Sequence, residues 1–162
     1  LYGLDGAVLR PSVPYGPRQN PLGRQGAVAV FLYRVANSLP ITIWGDGRVT
    51  RDYFYVTDLV EALIAAAQRD LADARVFNVG GGEGISLVEL LEHIQETVGK
   101  RAIVQYRAPR AFDAPQIVLD TTLARRELDW QPTVGLTTGL ARTWAWMSAA
   151  VPLSAPTPTV NL

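Results

Sequence analysis

The chain has 162 residues, 48% hydrophobic and 19% charged, which is material for one ordinary domain of ~100–200 residues. Fifteen basic and fifteen acidic side chains cancel, so the broad positive field of a nucleic-acid or anionic-membrane binder is excluded and any anion site must be local. The lack of cysteine excludes disulfides, thiolate nucleophiles and Cys-built zinc sites, and a single histidine, His93, excludes multi-His metal clusters.

Leu1 opens the chain on what reads as a helix end, which suggests the latter piece of something longer. After the turn Gly3-Leu4-Asp5-Gly6, the apolar run Ala7 to Arg10 reads as a buried strand stopped by Pro11. Pro11, Pro14, Pro17 and Pro21 then predict a long irregular loop, because proline lacks the N–H that ladders and helices need. Gly26 to Asn37 is apolar on nearly every face, which predicts a buried helix, ended by Pro40. Ile41 to Trp44 alternates as a strand, and Gly45-Asp46-Gly47 is a turn.

Asp58 and Glu61 have the spacing of a capping box ahead of Leu59, Val60, Leu63, Ile64 and Ala67 at helical intervals. Val76 to Val79 reads as a strand, Gly80 to Gly84 as a turn, and Ser86 with Glu89 as the cap of a helix closed by Gly99. Further strands are expected at Ile103 to Tyr106 and Ile117 to Leu119, flanking a loop from Pro109 to Pro115. Helices at Thr122 to Leu128 and Thr137 to Ala149 follow, so residues 1–150 form the domain and 151–162, rich in Pro, Ser and Thr, a disordered tail.

The glycine turn at Gly80 invites a dinucleotide-binding reading, but the spacing refuses it. Counting G-x-G-x-x-G from Gly80 puts Ile85 at the third glycine, and counting from Gly82 puts Leu87 there. Fourteen of the fifteen basic residues are arginine, a side chain suited to planar, bidentate recognition of phosphate or carboxylate; genome composition alone produces the same bias. His93 reads as a surface residue beside Glu92 and Glu96, and Trp130, Trp144 and Trp146 read as packing.

Three stretches together resemble the extended short-chain dehydrogenase/reductase superfamily, specifically nucleotide-sugar epimerases and dehydratases of the UDP-glucose 4-epimerase type. They are LRPSVPYGPRQ (Leu9 to Gln19), ITIWGDGRVTRDYFYVTDLVEA (Ile41 to Ala62) and FNVGGG (Phe77 to Gly82). Pro109-Arg110-Ala111-Phe112-Asp113 looks like that family's Arg-x-x-Asp loop, and LDWQPTVGLTTGLARTWAWM like its closing helix pair.

The resemblance implies an α/β fold, the C-terminal part of an extended Rossmann-type fold: its last parallel strands plus a small mixed α/β substrate-binding lobe, without the N-terminal NAD-binding part. It implies a nucleotide-sugar, typically a UDP-sugar, as ligand and NAD as the parent enzyme's cofactor, in a cytoplasmic homodimer that binds neither nucleic acid nor membrane. By resemblance Arg51 and Arg110 hold the diphosphate and Asp113 accepts from ribose hydroxyls. Ala27, Val28, Ile43 and Trp44 flank the nucleobase, and Pro14 lies near the nicotinamide. The family's catalytic Tyr-x-x-x-Lys pair is not in this chain, because its only lysine, Lys100, has Glu96 four residues earlier. Val13 departs from the family's usual asparagine, and valine has no hydrogen bond to donate from its side chain. Strands Ala7 to Arg10 and Val76 to Val79 are expected to leave exposed edges through which the chain self-associates.

Overall fold

The computed structural model describes residues 6–23, 25–69 and 76–152. Strand β1 (Val8–Pro11) pairs in parallel with β6 (Val76–Val79), and β2 (Val13–Tyr15) with β5 (Tyr53–Tyr55). Likewise β3 (Pro40–Trp44) pairs in parallel with β8 (Ile103–Arg107). A fourth, mixed sheet places β4 (Thr50–Arg51) between β7 (Ile85–Ser86), antiparallel to it, and β9 (Gln116–Ile117), parallel to it. Parallel neighbours need long connections, and each one here encloses helix: α1 (Ala27–Ala36) lies within the stretch from β2 to β5, α2 (Val56–Gln68) within that from β1 to β6, and α3 (Leu87–Val98) within that from β3 to β8. The chain closes with α4 (Thr122–Leu128) and α5 (Leu136–Ala150). The α/β class with parallel strands is as expected.

Helix α1 sits where the apolar run put it. Gly26, at φ 89°, precedes its first turn, Asn37 closes it, and eight of its residues are buried. Together with β3, β5, α3 and α5 it encloses the larger apolar core, in which Leu32, Ile41, Leu90, Ile94, Leu140 and Met147 are fully buried. A second cluster joins Phe54, Ala62, Phe77, Val79, Leu128 and Trp130. Trp130 is thus core, as read from sequence, and its indole N–H donates to Asp58 O (2.9 Å). Trp144 and Trp146 pack at the margin of the larger core. His93 lies on the outer side of α3, with Nδ1 3.9 Å from Glu96 Oε2.

The capping box at Ser86 is present in full: Ser86 Oγ accepts from Glu89 N–H (3.2 Å) and Glu89 Oε2 accepts from Ser86 N–H (2.8 Å). The one expected at Asp58 is not. Tyr55 ends β5 in an extended conformation and α2 begins at once at Val56, so Asp58 falls inside the first turn. There it is buried and accepts from Thr133 N–H, Thr133 O–H and Val134 N–H, a set of bonds that covers the desolvated carboxylate.

The irregular loop predicted after Pro11 also fails at Val13–Tyr15, which forms β2. A short strand bonded on one side needs only alternate N–H groups. Val13 supplies one to Asp52 O (3.0 Å), and Pro14 falls between the bonding positions. Strand β5 was missed because Tyr53, Phe54 and Tyr55 are all buried and show no alternation, and β4 because two residues carry no period. β9 begins one residue earlier than the expected strand and ends at Ile117. Val8 and Val76, on the β1–β6 pair, remain about half exposed. The tail beyond 152 and the first residues of the expected Gly3 turn lie outside the described residues.

Candidate functional site

A cleft of about 330 Å³ opens between the N-terminal end of α1, the C-terminal end of β3, β4 with β5, the start of α3 and the loop 108–115. Of the residues singled out by sequence, Ala27, Trp44, Arg51, Arg110 and Asp113 line it. Val13, the departure from the family pattern, lines it too.

Strand alternation decides which other residues reach it. Along β3, Thr42 and Trp44 face the cleft, so Ile41 and Ile43 turn into the core, each only 1% exposed. Ile43 is therefore not a lining side chain. In α1, Ala27, Val30 and Phe31 form the cleft face, while Val28 points into the core. On β2 the cleft receives Val13, and Pro14 stands on the other side of the strand, away from the lining. Sequence reading missed Thr42, Val49, Tyr53 and Leu87, all of which line the cleft. The period-two pattern of β3 was available and would have exchanged Ile43 for Thr42.

Each arginine is pinned by part of its donor set. Arg51 Nη1 donates to Thr50 O (2.8 Å) and Ala114 O (2.9 Å). The acidic groups nearest in sequence are committed elsewhere: Asp52 accepts from Gly81 N–H (2.6 Å) and Leu119 N–H (3.3 Å), and Asp58 from Thr133 and Val134. Among the described residues, Nε and Nη2 of Arg51 are left as a side-on fork. Arg110 instead commits Nε, at 3.0 Å from Asp113 Oδ2, and keeps both terminal nitrogens. Its guanidinium carbon also lies 5.3 Å from the Trp44 ring centroid and 5.4 Å from that of Phe112.

The loop carrying Arg110 is tied to β4 at several points. Thr50 N–H donates to Pro115 O (2.8 Å), and Arg51 itself reaches Ala114 O, the residue after Asp113. Asp113 N–H donates to Arg110 O (3.2 Å), closing the loop as a turn. Two arginines and a carboxylate, from elements far apart in sequence, thus share one pocket with apolar walls. Tyr53, beside Arg51, is nearly buried; burial pushes its phenol up to about 12, against the opposing Arg51 charge. It remains a neutral hydroxyl across the physiological range.

The glycine turn Gly80 to Gly82 is not a phosphate cradle. Asp52 fills it: Gly81 N–H bonds the carboxylate, and a Cβ at Gly80 or Gly81 would run into Asp52 and, at Gly80, into Ser12 Oγ as well. A buried carboxylate in this place repels a pyrophosphate, so these residues do not fit NAD there. Among the described residues no group of three His, Cys, Asp or Glu could hold a metal ion. No helix of the described residues is long and apolar enough to cross a membrane.

Comparison with known proteins places this geometry. The model of the NAD dependent epimerase/dehydratase family matches residues 1–80. The chain is 41% identical over 143 residues to a UDP-glucose 4-epimerase of Mycolicibacterium smegmatis, covering 88% of this chain and 45% of that protein. It is 39% identical over 132 residues to a dTDP-4-dehydro-6-deoxyglucose reductase of Escherichia coli, covering 82% and 42%. Among solved structures, a UDP-glucose 4-epimerase of Thermotoga maritima with UDP-glucose superposes with a TM-score of 0.85 at 38% identity, over 91% of this chain and 47% of that one. The chain spans about half the length of the curated relatives it matches.

Proposed function

The chain is a relative of the NAD-dependent epimerases and dehydratases, and from that premise we propose that it is the nucleotide-sugar-binding portion of an NAD-dependent 4-epimerase acting on a UDP-sugar. The observation that carries this reading is the convergence of Arg51, Arg110 and Asp113 on one cleft. A diphosphate brings two negative charges, and it meets two forks of different presentation, side-on from Arg51 and end-on from Arg110. Asp113, whose Oδ2 holds Arg110, offers its remaining lone pairs to ribose hydroxyls. Ala27 and Trp44 border the nucleobase side, and Val28 and Ile43, assigned there by sequence, stand next to them with side chains turned into the core.

In this reading the chain's residues bind and orient the substrate in a pocket with largely apolar walls, where charge-assisted bonds gain strength from partial exclusion of water. NAD supplies the hydride exchange by which such epimerases pass through a keto-sugar. Pro14 is the residue of this chain assigned near its nicotinamide. Catalytic tyrosine and lysine come from outside these residues, so the chain by itself is inactive. Residues 1–150 act as the binding unit. The whole enzyme is read as a homodimer, and this chain as self-associating through the half-exposed β1–β6 pair.

Isothermal titration of UDP and UDP-glucose into the protein tests the reading. Binding is expected and is weakened at least about tenfold by Arg51→Ala and by Arg110→Ala, since each removes a charge-assisted contact. Tight binding that ignores both substitutions sinks the assignment. The relatives also include dTDP-sugar dehydratases and a reductase. Val13 in the cleft, in place of an amide, is what favours a ligand other than the usual UDP-hexose; a clear preference for dTDP over UDP in the same titration selects that second reading.

A further inference from the structure

The two arginines of the cleft are held in different ways, and the difference singles out Trp44. Arg51 is fixed by two main-chain carbonyls, of Thr50 and Ala114, both of which accept from Nη1. Among the described residues the Arg110 guanidinium makes one hydrogen bond, to a carboxylate on its own loop, so that bond by itself lets arginine and aspartate move together. What ties the Arg110 head to the scaffold is the indole of Trp44, 5.3 Å away across the cleft wall. Trp44 ends β3, whose five residues are all in register with β8, and Gly45 N–H extends that ladder to Arg107 O (2.9 Å). Phe112 lies at a similar distance, but it is 80% exposed and belongs to the same loop as Arg110. It moves with the arginine and cannot place it.

We infer that Trp44 is a positioning residue: the face of its indole sets where the Arg110 fork stands for an incoming diphosphate. The inference rests on the diphosphate reading of the cleft and adds a division of labour within it. A cation over an indole is attracted by the ring's negative face, most strongly when partly desolvated, and a planar guanidinium stacks there with its terminal N–H groups still free. With Nε on Asp113 and one face on Trp44, the orientation of the remaining fork is fixed before ligand arrives. Such preorganisation is returned as affinity because less freedom is lost on binding.

The test has one arm with ligand and one without. For UDP binding by calorimetry, Trp44→Leu is expected to weaken affinity by about tenfold, within the range of a desolvated cation–π contact. Trp44→Phe, which keeps a ring, should restore most of it. In an Arg110→Ala background, Trp44→Leu should change affinity by less than about twofold, because its effect passes through the arginine. Without ligand, the Arg110 Nε–H resonance, read in a Phe112→Leu background, should be shifted upfield by the indole ring current and lose that shift in Trp44→Leu. Trp44→Gln replaces Trp44→Leu if the leucine variant fails to fold.

A resonance insensitive to Trp44 overturns the inference whatever the ligand does. So does an equal loss of affinity from Trp44→Leu with and without Arg110, which would make Trp44 a direct ligand contact. Loss of the ring-current shift together with UDP binding indifferent to Arg110 overturns the diphosphate role instead, and with it the purpose assigned to the stack.

Discussion

Gly81, in the glycine-rich turn after β6, donates its main-chain N–H to Asp52 Oδ1 at 2.6 Å. The other oxygen of Asp52 accepts from Leu119 N–H at 3.3 Å, and the residue is fully buried. One carboxylate therefore fastens the β4–β5 segment, the turn after β6 and the approach to α4. Asp52→Ala leaves two half-buried N–H groups, of Gly81 and Leu119, without their acceptor, a loss of about 1–2 kcal/mol for each. Urea denaturation should show a drop of roughly 2–4 kcal/mol on that basis. Gly81→Ala should be comparably harmful, since its Cβ would press on both Tyr53 O and Asp52 Oδ1.

Alkaline pH should expose the burial of Tyr53. Its phenol ionises at about 12 in the folded chain against 10.0 for an unhindered tyrosine, with burial the main cause and Arg51 opposing it. Because the folded value is the higher one, the folded state holds the proton more tightly, and the corresponding stability is complete below pH 10. It falls as pH rises from 10 towards 12, by about 3 kcal/mol in total. Tyr15, raised further by burial and by the neighbouring Tyr55 and Asp58, continues the loss at still higher pH. Urea midpoints measured from pH 9 to 12 should fall less steeply in Tyr53→Phe than in the parent.

The cap of α3 is a separate, cheaper test. Ser86→Ala removes the acceptor for Glu89 N–H and should cost about 1 kcal/mol at neutral pH. Ser86 also holds the Glu89 carboxyl below its ordinary value, through its O–H and then its N–H. A depressed carboxyl contributes above its unfolded value near 4.5 and loses that contribution as pH falls through the folded value. The difference between parent and Ser86→Ala should therefore shrink on acidification below about 4.5, as read by thermal melting from pH 3 to 7.

Arg51→Ala should loosen the loop that carries the second arginine. The side chain bonds Ala114 O, so its removal frees residues 109–115 as well as deleting a charge. Hydrogen exchange in that loop should accelerate in Arg51→Ala and stay near the parent's rate in Arg110→Ala. Equal rates in both variants would separate the loop from Arg51.

Restoring a side-chain donor at Val13 gives a fifth measurement. Val13 lines the cleft from β2, and its main chain is committed to Asp52 O, so Val13→Asn adds an amide to the pocket without disturbing the ladder. Affinity for UDP-glucose should rise by about fivefold, the worth of one net hydrogen bond. No change would mean that the amide's usual partner is absent from this cleft.

Much of the fold was legible because its signals are local. The unbroken apolar face of α1, the Ser86/Glu89 pair and the Gly99 stop each act within a turn or two of chain. Strands β2, β4 and β5 were illegible for the opposite reason. Their partners lie far along the chain, as Tyr53 does from Val13 and Gln116 from Thr50, and such distant pairing leaves no hairpin turn to read. At the site, Arg51, Arg110 and Asp113 were legible from their motif, and the cleft gathers them. Val28 and Ile43 were chosen by their place in a segment, and α1's periodicity and β3's alternation turn both side chains inward. Asp58 was misread because its three-residue spacing to Glu61 suits a cap, while its real partners are 75 and 76 residues downstream.

That separation has a consequence for how the chain is made. Asp58, on α2, emerges from a ribosome long before Thr133, Val134 and Trp130, the groups that satisfy its carboxylate and main-chain carbonyl. Until they arrive, the start of α2 must keep its charge in water, and the second apolar cluster lacks both Leu128 and Trp130. The first turn of α2 therefore cannot be completed until residues 130–134 have been made, and the order of synthesis puts the closing of this carboxylate after that of the Ser86 cap.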